Sequence, residues 1–286
     1  MAAGRFAPSP TGPLHIGSLY TALASFLDAR AEGLPWRLRF DDLDAPRNQP
    51  GAESRILRSL EAHGLHWDGP VERQSERLDL YQAALEKLQR RAKLFHCTCS
   101  RKALAGSPIY PGHCRGQIAP VPNAAIRVRV DDAAVEFIDL VQGRQHARLG
   151  ATVGDFIIKR RDGPFAYQLA TAVDDGNPNI VRVLRGRDLL ANTPRQLHVM
   201  ALLGLPAPAY AHIPVLLNPA GQKWSKQTGA PAVNDHKHLA NIRACLILLG
   251  LQPPDLDTET LMEWAKAHWS LDRVGKRNQA FDPSLS

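Results

Sequence analysis

The spacing of apolar and polar positions changes period twice within the first fifty residues. Residues 5–8 are short and extended, and Pro8, Pro10, Gly12 and Pro13 then make a stiff loop. From Ser18 onward the apolar residues Leu19, Leu23, Phe26 and Leu27 recur at helical spacing until Gly33 and Pro35 stop them. Trp36, Leu38 and Phe40 next alternate with Arg37, Arg39 and Asp41, the period-two pattern of a strand with one buried face. Strand, helix and strand in this order predict a βαβ unit, and so a parallel sheet with a right-handed crossover. Ligands of such sheets bind beyond the carboxyl ends of the strands, so loop 8–17 and Asp41 point toward one crevice.

Helical spacing returns at Leu57, Leu60, Leu80, Ala84 and Leu88, followed by a cysteine-bearing segment over residues 96–116. Residues 124–160 are strand-rich, notably 126–130 and 156–158. Residues 192–203 predict a helix capped by Thr193 with Pro194 at its first position. After a buried strand at 213–217 and the lysines around 223–226, the pattern becomes two or three helices, near 239–249 and 261–269, and ends in a polar tail. No internal repeat or low-complexity stretch interrupts the chain.

Composition narrows the class. A length of 286 residues fits one large domain or two ordinary ones, with 44% hydrophobic and 22% charged residues as in globular proteins. Apolar runs such as Ala201-Leu202-Leu203 fall far short of the roughly 20 residues that a membrane-spanning helix needs. The opening residues hold no apolar h-region, so a cytoplasmic protein without membrane partners is expected. Lys and Arg total 35 against 28 Asp and Glu, a net charge of +7 that suits a polyanion such as nucleic acid. Of four cysteines, Cys97, Cys99 and Cys114 lie close together, which points to metal rather than disulfides in such a chain. Cys245, in a leucine-rich helix, reads as core.

Two loops carry candidate chemistry. Residues 8–18 join the first strand to the first helix, where unpaired amides and the helix dipole favour a phosphate. Gly17 removes a side chain that would keep a nucleotide away, and His15 can donate to a phosphate oxygen. Lys223-Trp-Ser-Lys226-Gln227 follows the buried strand and sets two lysines three apart, a spacing suited to a triphosphate whose charge grows during transfer. Neither a Gly-x-Gly-x-x-Gly nor a P-loop sequence occurs.

In this order the two loops resemble the His-Ile-Gly-His and Lys-Met-Ser-Lys-Ser signatures of class I aminoacyl-tRNA synthetases. Arg5-Phe-Ala-Pro-Ser-Pro-Thr-Gly-Pro-Leu-His-Ile-Gly17 is similar to the glutamyl branch, as are Arg39-Phe-Asp-Asp-Leu-Asp-Ala-Pro-Arg47, Gly154-Asp-Phe-Ile-Ile-Lys-Arg160, Ala166-Tyr-Gln-Leu-Ala170 and Leu184-Arg-Gly-Arg-Asp-Leu-Leu190. The short stretch left after the lysine loop, residues 228–286, and the cysteine segment resemble the family of glutamyl-Q tRNA(Asp) synthetases, which lack the large anticodon-binding region.

The resemblance implies an α/β fold: a Rossmann-type parallel-sheet catalytic core over 1–230, with a zinc-binding segment at 96–116 inside an acceptor-binding insertion of about 96–175. A small helical region over 231–286 completes the plan. It further implies a monomer that activates L-glutamate with ATP and Mg²⁺, without tRNA, and transfers glutamate to the queuosine base in the anticodon loop of tRNA(Asp). A truncated synthetase charging a tRNA 3′ end, or a non-catalytic RNA-binding paralogue, is the alternative. By the same resemblance, His15, Gly17, Lys223 and Lys226 are catalytic, and Pro8, His15, Gly17, Ser18 and Lys226 bind ATP. Arg5, Phe6, Ala7, Pro8, Ser9, Asp41, Tyr167 and Arg185 bind glutamate, with Arg5 and Arg185 at its carboxylate and Asp41 and Tyr167 near its amine. One structural zinc is held by Cys97, Cys99, Cys114 and, in the family pattern, Tyr110, although ligand chemistry alone favours His113 as the fourth. The chain departs from the pattern at Ser18, at Asp41 where a Glu is usual, and at Trp224 and Gln227.

Overall fold

A computed structural model describes the chain apart from residues 101, 107–108, 225–228 and 282–286. The first unit is β1 (Ala3–Phe6), α1 (Ile16–Ala31) and β2 (Trp36–Phe40), followed by α2 (Ala52–Ala62) and β3 (Glu72–Arg73). β1, β2 and β3 run parallel, so the expected βαβ unit is present. Gly4 has a steric cause: a Cβ there would lie 2.9 Å from the Cβ of Ala29, so α1 packs on β1 at backbone distance.

The chain then leaves the sheet through α3 (Leu78–Arg90), β4 (Leu94–Cys97), β5 (Ala125–Val128), β6 (Ala134–Asp139), β7 (Gly143–Arg148), α4 (Leu149–Thr152) and β8 (Phe156–Lys159). The strand-rich segment does not stay together. β5 lies between β4 and β8 in a three-stranded antiparallel sheet, whereas the β6–β7 hairpin joins the main sheet. α5 (Tyr167–Asp175) leads into β9 (Ile180–Gly186), α6 (Thr193–Leu203) and β10 (Ala209–Ile213). Among the described residues the main sheet has the order β3-β2-β1-β9-β10-β6-β7, parallel throughout except for β7. Successive strands build outward from β1 on one side and from β9 on the other. The strand order therefore reverses between β1 and β9, and a crevice opens at their carboxyl ends.

Two sequence expectations are corrected. Arg39 on β2, predicted to face solvent, is buried, because the central strands of a parallel sheet are covered on both faces. Thr193 does not cap α6 through its side chain: Asn192 takes the cap position, and the Thr193 hydroxyl turns instead to Arg185 and His212.

The last elements are β11 (Leu216–Leu217), α7 (His238–Leu248), α8 (Thr258–His268) and β12 (Gln279–Ala280). Ile242, Cys245, Leu246, Leu261, Met262 and Ala265 of α7 and α8 share one hydrophobic cluster with Leu19, Leu23 and Leu27 of α1 and Trp36 and Phe40 of β2. α1 is thus enclosed between sheet and helices, which accounts for its buried residues lying all round the helix and not on one stripe. β12 returns to pair in parallel with β11. Among the described residues no helix is long and apolar enough to cross a membrane.

Candidate active site

The crevice between β1 and β9 is a cavity of about 410 Å³. β1 and the loop after it supply Arg5, Phe6, Ala7, Pro8 and Ser9, and the start of α1 supplies His15, Gly17 and Ser18. Asp41 comes from the end of β2, Tyr167 from the first turn of α5, Arg185 from β9 and Lys223 from the loop after β11. Segments up to 218 residues apart in number thus meet on one wall, from Arg5 to Lys223. Lys226 lies outside the described residues.

At the nucleotide-loop end, His15 is the N-cap of α1. Its Nδ1 accepts the Ser18 amide at 3.3 Å, and its Nε2 is 3.0 Å from the Ser18 hydroxyl. A Cβ on Gly17 would come within 3.2 Å of the His15 ring, so glycine keeps both the ring and the approach to the helix terminus open. Lys223 Nζ donates to Asp188 Oδ2 at 2.6 Å on the opposite rim.

The floor is a buried lattice of charge. Asp175, at the last turn of α5, accepts from Arg5 Nε and Nη2 at 3.0 and 2.6 Å and from Arg39 Nη1 at 2.9 Å. Burial alone would raise its carboxyl pKa, but the charges of Arg5 and Arg39 hold it well below the usual carboxylate range. Asp41 accepts from Arg39 Nε at 2.8 Å, and there burial prevails and pushes the carboxyl up. Asp174, next to Asp175 in the chain, accepts from Gln74, Arg77 and Tyr81 at 2.8 to 2.9 Å.

Arg185 differs from these arginines. Its Nε donates to His212 Nε2 at 2.9 Å, and its Nη2 donates to Thr193 Oγ1 at 2.9 Å and Gln196 Oε1 at 2.7 Å. All three acceptors are uncharged, and Nη1 is buried with no hydrogen-bond partner among the described residues. A buried guanidinium on a cavity wall, with neutral partners and an unused donor, is a site for a carboxylate. Arg5 is already matched by Asp175 through Nε and Nη2.

Sequence reading missed the residues that hold the floor: Asp175, Arg39, His212, Thr193 and Gln196. A signal existed for Asp174 and Asp175. Two carboxylates at the carboxyl end of a helix oppose its dipole and call for cationic partners.

The three cysteines converge at the end of β4, their sulfurs all within 4.8 Å of one another. Tyr110 Oη lies 3.6 Å from Cys97 Sγ and 4.0 Å from Cys99 Sγ, and accepts the Cys114 amide at 2.9 Å. His113 is exposed and outside this group. Burial opposes ionisation of Cys114, yet hydrogen bonds from the Tyr110 hydroxyl and the Thr98 backbone outweigh it and bring the thiol down to about 7. Three sulfurs and a phenol oxygen around one point fit the tetrahedral donor set of zinc.

Comparison with known proteins places the chain in a family by sequence and by fold. The model of "tRNA synthetases class I (E and Q), catalytic domain" matches residues 2–107 and 115–282. A glutamyl-Q tRNA(Asp) synthetase of Thiobacillus denitrificans is 49% identical over 283 residues, covering 95% of this chain and 94% of that one. The protein of the same name from Pseudomonas aeruginosa is 47% identical over 276 residues, with 95% and 94% covered. Among solved structures, a glutamate tRNA ligase from Elizabethkingia meningosepticum in complex with its amino acid superposes with a TM-score of 0.83 at 25% identity, covering 99% of this chain and 67% of that one.

Proposed function

Since the chain belongs to the class I tRNA synthetases (E and Q), and within them to the glutamyl-Q tRNA(Asp) synthetases, we propose that it activates L-glutamate with ATP, without tRNA, and transfers it to queuosine in the anticodon loop of tRNA(Asp). The observation that carries glutamate as the substrate is Arg185, a buried cation on the cavity wall with only neutral partners and an unused Nη1. The substrate's side-chain carboxylate supplies the missing charge in two-point contact with Arg185 and Arg5. Asp41 and Tyr167 face the amine, with Asp41, one methylene shorter than Glu, acting through water.

Activation is an in-line displacement. An α-carboxylate oxygen of glutamate attacks the α-phosphorus of ATP, the bond to the β-phosphate breaks, and pyrophosphate leaves glutamyl-adenylate behind. Chemistry of this kind depends on alignment and charge stabilisation, not on a covalent nucleophile. Loop 8–18 and the amino end of α1 hold the nucleotide, with His15 and the Gly17 backbone at its phosphates. Lys223 and Lys226 meet the charge that grows on the leaving group. Mg²⁺ bound with ATP would supply counter-charge to its phosphates. The modified base then attacks the acyl carbon, and AMP leaves. Cys97, Cys99, Cys114 and Tyr110 would hold a structural zinc, which would tie the start of the insertion to β4.

The test is glutamate-dependent exchange of pyrophosphate into ATP without RNA, followed by charging of tRNA(Asp) with and without queuosine. Exchange without RNA, and label only on queuosine-bearing tRNA(Asp), is the expected result. Label on the 3′ end of tRNA(Glu) would make the chain a truncated glutamyl-tRNA synthetase, and no exchange would remove the activation step.

A further inference from the structure

Resting on the glutamate reading above, we propose that His212 is the positioning residue that aims Arg185 at the substrate carboxylate, and that Asp139 sets the tautomer in which His212 can do so. His212 on β10 is the Cα partner of Arg185 on β9 in the parallel pair, and its side chain is fully buried. An arginine Nε carries its hydrogen at every working pH, so at 2.9 Å it donates to His212 Nε2, which is then the bare nitrogen of the ring. The Thr193 hydroxyl lies 3.0 Å from the same nitrogen and donates to the Leu189 carbonyl at 3.4 Å. The one ring hydrogen is left on Nδ1, which donates to Asp139 Oδ2 at 2.6 Å. Burial lowers the imidazole pKa and Arg185 adds to this against the Asp139 bond, so the ring is neutral and keeps its acceptor.

Asp139 cannot reverse this polarity. Its Oδ1 accepts three backbone N–H groups, from Val141 at 3.1 Å, Gln142 at 2.8 Å and His212 at 3.1 Å. The β6–β7 hairpin is thereby linked to Arg185 through one carboxylate and His212. Arg185 has an obvious alternative partner in Asp175, whose carboxyl feels its charge but makes no hydrogen bond to it among the described contacts. The acceptors on His212, Thr193 and Gln196 hold the guanidinium away from that carboxylate, and Arg185 lines the cavity with Nη1 still unpartnered among the described residues.

Asp139→Asn tests the polarity with almost no change of shape. The three backbone donors require the amide oxygen at the Oδ1 position, so the amide nitrogen faces His212 Nδ1 and drives the ring hydrogen to Nε2, against Arg185 Nε. Loss of a hydrogen bond to a charged group predicts a rise in the glutamate KM of about tenfold or more, with the ATP KM unchanged. His212→Leu should do the same, and His212→Gln, whose amide oxygen can stand where Nε2 stood, should recover most of the loss. Nitrogen NMR of the wild-type chain, which needs neither activity nor a variant, should find His212 protonated at Nδ1 and bare at Nε2. A protonated Nε2, an unchanged glutamate KM in Asp139→Asn, or equal rises for glutamate and ATP would each overturn the proposal. A wild-type chain without glutamate-dependent exchange fails the functional reading instead, and the nitrogen spectrum still decides the polarity.

Discussion

Arg5 donates through Nε and Nη2 to both oxygens of Asp175, at 3.0 and 2.6 Å, across 170 residues of chain. The charge that resemblance assigns to substrate is therefore balanced inside the protein before any ligand arrives. Arg39 shares the same carboxylate, so one aspartate holds two buried cations in register beneath the cavity. This division of labour separates Arg5, a preorganised wall, from Arg185, whose charge is left for a ligand.

Removing Asp175 tests that division. Asp175→Asn leaves two buried guanidiniums short of their counter-charge, a loss of about 3–5 kcal/mol for a broken buried pair. Equilibrium urea unfolding measures it, and a loss below about 1 kcal/mol would mean that water or Asp174 compensates. The depressed pKa of Asp175 sets the direction with pH. A carboxylate that binds its proton less readily when folded stabilises the fold above its unfolded pKa of about 3.9, and that contribution is lost as the pH falls below it. Stability of the wild type should therefore drop more steeply than that of Asp175→Asn from about pH 4 downward.

Gly17→Ala places a methyl 3.2 Å from the His15 ring, at the point where the nucleotide loop meets α1. The ring must shift by a few tenths of an ångström, and the phosphate approach narrows. Pyrophosphate exchange at varied ATP should show the ATP KM raised about tenfold with the glutamate KM nearly constant. Stability should hold, because alanine is the better helix former. An unchanged ATP KM would place the nucleotide elsewhere.

For the cysteine cluster, metal analysis of the purified chain should find one zinc, and Cys99→Ser should hold less than one. Competition with a chelator distinguishes the fourth ligand. Tyr110→Phe is expected to release zinc faster than wild type and His113→Ala at the wild-type rate, since Tyr110 Oη adjoins two of the sulfurs and His113 is exposed. Full zinc in Cys99→Ser would remove the site.

Among the described residues, the side chain of Trp224 ties the tail to the lysine loop. Trp224, at the position where the signature has Met, donates its indole N–H to the Phe281 carbonyl at 2.7 Å, while the Phe281 amide donates to Leu217 at 2.9 Å. Trp224→Phe keeps the ring and removes the donor. Hydrogen exchange of the Phe281 amide should then speed up roughly three- to tenfold, the equivalent of one ordinary hydrogen bond. No change would mean that the β11–β12 pairing alone secures the tail.

By itself the sequence determined what is local: the βαβ opening, the loop between the first strand and first helix, the two lysines, and the cysteine cluster. Each is written in residues a few positions apart, where period, turn chemistry and ligand spacing are legible without knowing the fold. It also indicated one crevice for loop 8–17 and Asp41, because parallel sheets bind ligands at their carboxyl ends. Only the tertiary structure decided which buried charges meet. Arg5 and Arg39 find Asp175, and Arg185 finds His212 and, among the described residues, no carboxylate, through contacts that span 27 to 170 residues. The same holds for the β6–β7 hairpin, which resembles any exposed pair of strands until Asp139 is seen to hold His212, and for α7 and α8, which complete the core around α1. Burial makes these pairings obligatory, since an arginine out of water needs a partner, but nothing in local spacing says which acidic or neutral group will supply it.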